Sequence, residues 1–336
     1  MRANRSRHHG SAALRPMVRI ESFDGLHDLW IQTRATWPWP CLFVLPFWLE
    51  NVHRHLRTGE PHIVTVHDGR TPIGCMPLSI GGSTARFLGA PEVCDYQDLI
   101  SAPGRQQQVL ETVLAHLVGQ GIRRLDLRTL QPNALVLEAL ATISPQPGNT
   151  ELSPDEVAYA ALLPDSWEGY LLQLDGKQRH EVRRKLRRLD NLGRIGYRCI
   201  DTRAALGAAV DAFIALFRAN RPEKAAFMSA AVEGYFRDLI RGLADRHMLR
   251  LCFLDVNDRP VASVLCFDYL GTRYLYNSGY DERFESWSVG ALSKILSIRN
   301  AIEAGCRRYD FLKGAEVYKK RLGGMETQLY RCMLEI

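Results

Sequence analysis

At 336 residues the chain is long enough for two domains of ordinary size, each with its own core. Hydrophobic content of 46% and charged content of 24% fit a globular protein in water, and no apolar run reaches the roughly 18 residues of a membrane-spanning helix. The net charge of +6 is mild and points to no anionic partner until it is located. The first sixteen residues, MRANRSRHHGSAALRP, are basic without an apolar centre, which predicts a disordered leader and a solvated His8-His9 pair. The eight cysteines form no C-x-x-C pair and no metal-ligand spacing. Cys75, Cys252, Cys266 and Cys306 sit in apolar, strand-like runs, so buried free thiols in a reducing cytoplasm are expected.

In chain order, residues 17–23 read as a strand, followed by helical stretches near 24–35 and 46–57. Apolar strands are expected at 62–66, 73–80 and 85–88, the first two joined by the turn Asp68-Gly69-Arg70. A polar loop at 90–103 contains Asp95-Tyr96-Gln97-Asp98; it leads into a helix over 104–119 and a strand over 122–127. The stretch 144–154 reads as a linker. A strand at 157–163 then precedes Pro164-Asp165-Ser166, which caps a helix beginning at Trp167.

A basic helix follows over 177–198, with Val182, Leu186 and Leu189 on one face and Arg183, Arg184, Arg187 and Arg188 on the others. Such a run is most often a solvated face with local acidic partners. If it serves a ligand, Arg179 and Arg183 are nearest to a cleft, and phosphorylated substrates, anionic membrane surfaces or aminoacyl-tRNA are the candidates. Amphipathic helices over 204–218 and 230–245 flank the turn-rich Asn220-Arg221-Pro222-Glu223-Lys224.

The C-terminal third repeats the order of the first: strands at 249–255, 261–269 and 273–280, a loop, a helix over 289–304 and a strand at 306–312. Gly121-Ile122-Arg123-Arg124-Leu125-Asp126-Leu127 and Gly305-Cys306-Arg307-Arg308-Tyr309-Asp310-Phe311 share the pattern G-x-R-R-Φ-D-Φ. Shared order and motif predict a duplicated α/β unit. In the second copy Ser286-Trp287-Ser288-Val289-Gly290-Ala291 offers a hydroxyl cap and small residues at a helix start, where free N–H groups and the dipole favour an anion.

The second half resembles the GNAT acyltransferase fold. The chain from about residue 17 onward is similar to double-GNAT acyltransferases of the CelD-like family, relatives of the Fem peptidyltransferases. The resemblance rests on Leu163-Pro164-Asp165-Ser166-Trp167-Glu168-Gly169-Tyr170, on Arg179 with Arg183-Arg184, and most specifically on residues 309–319, YDFLKGAEVYK. It implies two GNAT-like mixed-sheet halves in tandem, 17–150 and 151–336, with a helical insertion that includes the basic segment 177–198. It also implies an acyl-CoA co-substrate, no metal, a cytoplasmic enzyme, and an amine acceptor such as an amino sugar or polysaccharide precursor. Ser288, Val289, Gly290, Ala291 and Tyr280 are then the donor-binding candidates.

Glu316, Tyr318 and Asp310 are the candidates for catalysis, because acyl transfer to an amine needs a proton acceptor and donors for the oxyanion. Asp95, Tyr96, Asp98, Arg179, Arg183 and Asp281 are the candidates for the acceptor. The chain departs from the usual acyl-CoA loop, Q/R-x-x-G-x-G/A, with Glu285 at the first position and Ser288 at the first glycine. A Fem-like aminoacyl-tRNA-dependent transferase and a non-catalytic module on a degenerate fold therefore remain open beside acyl-CoA transfer.

Overall fold

The computed structural model describes residues 16–144 and 148–336; the expected leader, apart from Pro16, and its His8-His9 pair lie outside the described residues. The first part comprises β1 (Met17–Glu21), α1 (Phe23–Thr33), α2 (Pro46–Leu56), β2 (Glu60–Asp68), β3 (Thr71–Gly81), β4 (Thr84–Phe87), β5 (Ile100–Ser101), α3 (Gln106–Gly119), β6 (Arg124–Leu130) and α4 (Leu135–Thr142). Next come β7 (Thr150–Leu162), α5 (Trp167–Gln173), α6 (Gly176–Leu189), β8 (Ile195–Ile200), α7 (Ala209–Asn220), α8 (Pro222–Phe227) and α9 (Ala230–Asp245). The chain ends with β9 (Leu249–Val256), β10 (Arg259–Tyr269), β11 (Thr272–Tyr280), α10 (Val289–Glu303), β12 (Arg308–Lys313), α11 (Val317–Arg321) and β13 (Met325–Glu335).

The strands form one mixed sheet in the order β1-β2-β3-β4-β6-β13-β7-β12-β11-β10-β9-β8, with β5 on β3. Its two arms repeat each other: an antiparallel ladder, a helix and a strand returning parallel to the last member of the ladder. The pairing β4–β6 starts with Thr84 opposite Arg124, and β11–β12 starts with Thr272 opposite Arg308. The two G-x-R-R-Φ-D-Φ motifs thus lie in the same register. At the seam β13 runs between β6 and β7, so the C-terminal strand extends the first arm as well as the second.

Side chains of the central strands alternate between two cores. Leu251, Phe253, Leu265 and Phe267 face one side with Trp48, Phe213 and Phe236; Cys252, Val264 and Cys266 face the other with Ile295 and Ile298. Helices cover both faces, which is why these strands read as continuous apolar runs. The first core joins the arms: Trp48 of α2 packs edge-on against Phe267 and Tyr276, and Asn51 donates to the Tyr235 carbonyl of α9.

Several expectations are corrected. The linker 144–154 gives way to β7 from Thr150, and the basic helix stops at Leu189 because residues 195–200 pair with β9. Part of the turn-rich segment 220–224 opens α8 with Pro222 in its first turn. Cys199 and Cys252 face each other across β8 and β9 and form a disulfide, so these two are not free thiols; Cys75, Cys266 and Cys306 are free, the first two fully buried. Among the described residues no helix is long and apolar enough to cross a membrane.

Where β11 leaves β10, the fully buried Arg273 donates to both oxygens of Asp268 at 2.7 and 2.9 Å and to Asn300 Oδ1 of α10 at 2.7 Å. Removing the carboxylate leaves a buried guanidinium without a counter-charge. Asp268→Ala is expected to lower unfolding free energy by about 3–5 kcal/mol in urea denaturation; a loss within 1 kcal/mol would show that this cluster does not hold β11 to α10.

Candidate active site

Two irregularities open the sheet between β11 and β12. The parallel pairing ends at Tyr274 opposite Asp310. Beyond it Cys266 pairs with Leu275 and Leu265 with Asn277, so β11 carries one extra residue, Tyr276, as a bulge. On β12 the register against β7 jumps between Asp310 and Lys313, and Leu312 adopts φ 61°. A bulge bends its strand, so both strands turn apart at the same level and open a cleft between them. The cleft is about 720 Å³, and β11, β12, α10, the α7–α8 junction and the 88–99 loop of the first arm line it.

At one side stands the start of α10. Its first-turn N–H groups, those of Val289 and Gly290, have no acceptor within the helix. Ser288 is left-handed at φ 59° and its side chain does not cap; the expected hydroxyl cap is absent and Ser288 Oγ instead lies 3.4 Å from Lys185 Nζ. Gly290 is required by close packing, since a Cβ there would lie 2.7 Å from the Tyr280 ring. Cations surround this helix start. Lys185 reaches it from α6, and Arg188 donates to the Ser286 carbonyl and lies over the Trp287 ring. Lys294, one turn inside α10, donates to the Gly290 carbonyl at 2.9 Å. Glu285, the acidic departure in the loop, is exposed at the cleft edge with Tyr280 Oη 3.5 Å away.

Lys294 is nearly buried, with its ammonium 4.9 Å from the centre of the Tyr318 ring. Burial, reinforced by nearby Lys224, pushes its pKa down to about 8. Lys224 of α8 is likewise pushed down to about 8, by burial and then by Arg221, and it donates to the Ser278 carbonyl of the splayed β11. Asn220 also lines the cleft; it is 4% exposed and its Nδ2 has no hydrogen-bond partner among the described residues. On the β12 side Lys319 is buried and donates to the carbonyls of Leu312, Lys313 and Gly314, while the exposed Glu316 carboxylate takes a 2.9 Å ion pair from it. Burial raises the Tyr318 phenol far above its ordinary pKa, so it enters any reaction protonated.

The structure brings Ser288, Val289, Gly290, Ala291, Tyr280, Glu316, Tyr318 and Asp95 to this cleft. It places the remaining sequence candidates elsewhere. Asp310 is buried behind the cleft wall, accepting from Tyr96 Oη at 2.9 Å and from the Leu312 N–H at 2.8 Å, so these two residues anchor the bend of β12. Asp98 accepts from the backbone N–H groups of Leu135 and Val136 and caps α4. Asp281 is held by Arg283.

Arg179 and Arg183 do not reach the cleft. On α6 the positions 181, 185 and 188 share the face toward α10, and 183 is out of phase with them. Sequence reasoning missed Lys294, Lys224, Asn220, Lys185 and Lys319. Lys294 had one legible signal, a cation four residues after Gly290 within the apolar first half of the helix.

Residues 176–320 match the family model described as Acetyltransferase (GNAT) domain. In fold the chain is similar to FemX, at 11% identity and TM-score 0.64, covering 95% of this chain and 97% of that one. It is also similar to a conserved protein of unknown function from Bacteroides thetaiotaomicron, at 14% identity and TM-score 0.63, covering 95% and 100%. A third likeness is the C-terminal domain of a putative lysylphosphatidylglycerol synthetase from Agrobacterium fabrum, at 10% identity and TM-score 0.56, covering 85% and 90%. No curated protein matches the sequence. The architecture is a mixed α/β one of GNAT-like folds in tandem, as the sequence leads one to expect.

Folding lowers the Lys294 pKa from 10.5 to about 8, so its charge destabilises the native state below about pH 8, and the penalty is relieved as pH rises from there toward 10.5. Lys294→Met is expected to stabilise the protein at pH 7 by roughly 2–3 kcal/mol and to flatten the gain between pH 8 and 10. Urea denaturation across that range checks it, and a destabilised Met variant at pH 7 would show that the ammonium is satisfied by its surroundings.

Proposed function

We propose that the chain is an N-acyltransferase that moves an acyl group from acyl-CoA to the amine of a small acceptor. The observation that carries the reading is the fork between β11 and β12 opening beside the start of α10. Room for an extended acyl arm between the diverging strands and free N–H groups for a pyrophosphate thus meet in one cleft. The cations at Lys185, Arg188 and Lys294 outnumber the carboxylates there, Glu285 and the Glu181 that pairs with Lys185. A second groove of about 640 Å³ between α6, α10 and α11 shares Ala291, Tyr318 and Arg321 with the cleft and carries Lys177 and Lys185, a fitting place for the nucleotide end of the donor. The match of residues 176–320 to an acetyltransferase domain supports the same assignment.

The amine attacks the thioester carbon directly. Its nitrogen forms the new C–N bond, the C–S bond breaks, and the ammonium proton passes to Glu316, an exposed carboxylate of the cleft just past β12. The departing thiolate takes a proton from Tyr318, which burial keeps as the phenol. The resemblance to CelD-like proteins favours an amino sugar or polysaccharide precursor as acceptor.

Acetyl-CoA is expected to bind in calorimetry, and Gly290→Val, which drives a side chain into the Tyr280 ring, is expected to abolish that binding. No heat at millimolar acetyl-CoA would end the acyl-CoA assignment. With an acceptor in hand, Glu316→Gln is expected to lower kcat/KM by roughly 10²-fold or more, and Tyr318→Phe to lower kcat; unchanged turnover in both would remove these roles.

A second reading, aminoacyl transfer from tRNA, is favoured by one observation: α6 touches the helix start through Lys185 and Arg188 while presenting exposed Arg183, Arg184 and Arg187 beside it. It requires RNA affinity that falls steeply with salt and weakens in Arg183→Gln with Arg187→Gln. A flat salt dependence would exclude it.

A further inference from the structure

The cleft has a second polar pole that the donor does not account for. On the side of the sheet opposite α10, the α7–α8 junction presents Asn220, Arg221 and Lys224 to the same cavity. Gly279 explains how the junction comes so near: a Cβ there would lie 2.5 Å from the Leu216 and Phe217 backbone, so α7 presses on the splayed end of β11. Lys224 reaches the Ser278 carbonyl, and Lys294 approaches from the far side of the fork. Every side chain of this group offers hydrogen-bond donors, and Asn220 Nδ2 is buried without an acceptor among the described residues. Arg221 and Lys224 make no ion pair with a carboxylate within 4 Å among the described residues. Glu92, Asp95 and Glu316 line the same cavity; Asp95 is engaged by Lys313 and Glu316 by Lys319, Glu92 is exposed, and Glu316 acts on Lys224 and Lys294 from beyond ion-pair distance.

We propose that Asn220, Arg221 and Lys224, with Lys294 behind them, form an anion-binding subsite for the acceptor, so that the acceptor carries a phosphate or carboxylate as well as the reacting amine. The arrangement fits such a ligand at both ends: a buried amide without an acceptor and cations without a paired carboxylate on the α7–α8 side, and the carboxylates of Glu92 and Glu316 for the ammonium. Neutral amines leave the buried amide and the paired cations unmatched, and a polyamine meets like charge at one end. The assignment rests on the acyltransferase reading for the word acceptor, but the anion preference is a property of this cleft alone.

Two matched pairs test it by calorimetry on the full chain, with and without saturating coenzyme A: glucosamine 6-phosphate against glucosamine, and alanine against alaninamide. The anionic member of at least one pair is expected to bind tenfold or more tightly than its partner. A preference confined to the sugar pair identifies phosphate, and one confined to the alanine pair identifies carboxylate. The exposed Arg221→Gln and the double variant Arg221→Gln with Lys224→Met are expected to bring that ratio toward one, with circular dichroism unchanged. Equal affinity within both pairs, or a preference that survives the double variant, overturns the subsite. Acetyl-CoA titrated into the same proteins keeps the two ideas apart: lost donor binding with an intact anion preference defeats the acyl-CoA reading and leaves the subsite standing, and the reverse result does the opposite.

Discussion

The hydrogen bond from Tyr96 to the buried Asp310 carboxylate holds the geometry on which the cleft depends. Burial raises the Asp310 pKa, and the phenol of Tyr96 together with the Leu312 N–H supplies the donors that make the buried site tolerable. With the N–H of Leu312 turned back onto Asp310, the chain passes through left-handed φ at Leu312 and cannot continue alongside β11. It swings Lys313, Glu316 and Tyr318 toward the cleft instead. The same loop of the first arm makes further joints close by: Asp95 pairs with Lys313 at 3.0 Å, and Tyr276 at the β11 bulge donates to the Val93 carbonyl. The first arm therefore acts on the second through both banks of the fork.

The lysines of the cleft show a different balance. Elsewhere in the molecule buried charge is matched, as with Arg273 on Asp268 or Asp126 beneath Arg331 and Arg86. Lys294 and Lys224 hydrogen-bond only to carbonyl oxygens and lie over ring faces; Glu316 favours both charges from beyond ion-pair distance, and Lys224 lowers the Lys294 pKa further. Such an arrangement costs stability and has no packing rationale, because an apolar side chain of similar length would fill the same volume. Physical sites of this kind are where ligand charge completes the electrostatics. Asp95 is held by Lys313 and Glu316 by Lys319, so among the described residues no carboxylate lies within ion-pair distance of Arg221, Lys224 or Lys294.

The repeat was legible because two patterns, the order of strands and helix and the G-x-R-R-Φ-D-Φ signature, coincide, and the paired strands share one register. The start of α10 was legible because small residues before an apolar helix have few other uses. Illegible were the features made by tertiary contact. Nothing local tells Asp310 from a catalytic carboxylate, since only the arrival of Tyr96 from more than 200 residues away fixes its role. Asp98 likewise reads as a loop carboxylate until α4 arrives with two free N–H groups. Lys224 sits in a segment of turn-forming composition, and its function as a cleft residue depends on Gly279 letting α7 approach β11. The disulfide was hidden for the same reason: Cys199 and Cys252 become neighbours only when β8 takes the edge of the sheet beside β9.

The two arms, built alike, have been put to unlike uses, and the difference can be traced to where one loop goes. In the second arm the segment after β11 forms one 3-10 helix, Glu282–Trp287, before α10, and the start of α10 lines the fork. In the first arm the segment after β4 is longer and folds away. It sends Val93, Cys94 and Tyr96 into the shared aromatic core, then forms β5 on β3 before α3 begins. There α3 and β5 press on β3 so closely that a Cβ at Gly74 would lie 2.4 Å from Val109 and 2.8 Å from the Ile100 carbonyl. In the first arm β5 takes a place on β3 beside α3, and the diverted loop becomes a wall of the second arm's cleft through Glu92 and Asp95. A duplicated fold thereby yields one site with two chemically different banks. One bank is cationic and belongs wholly to the second arm, while the first arm supplies carboxylates to the other, an asymmetry that two identical open forks could not provide.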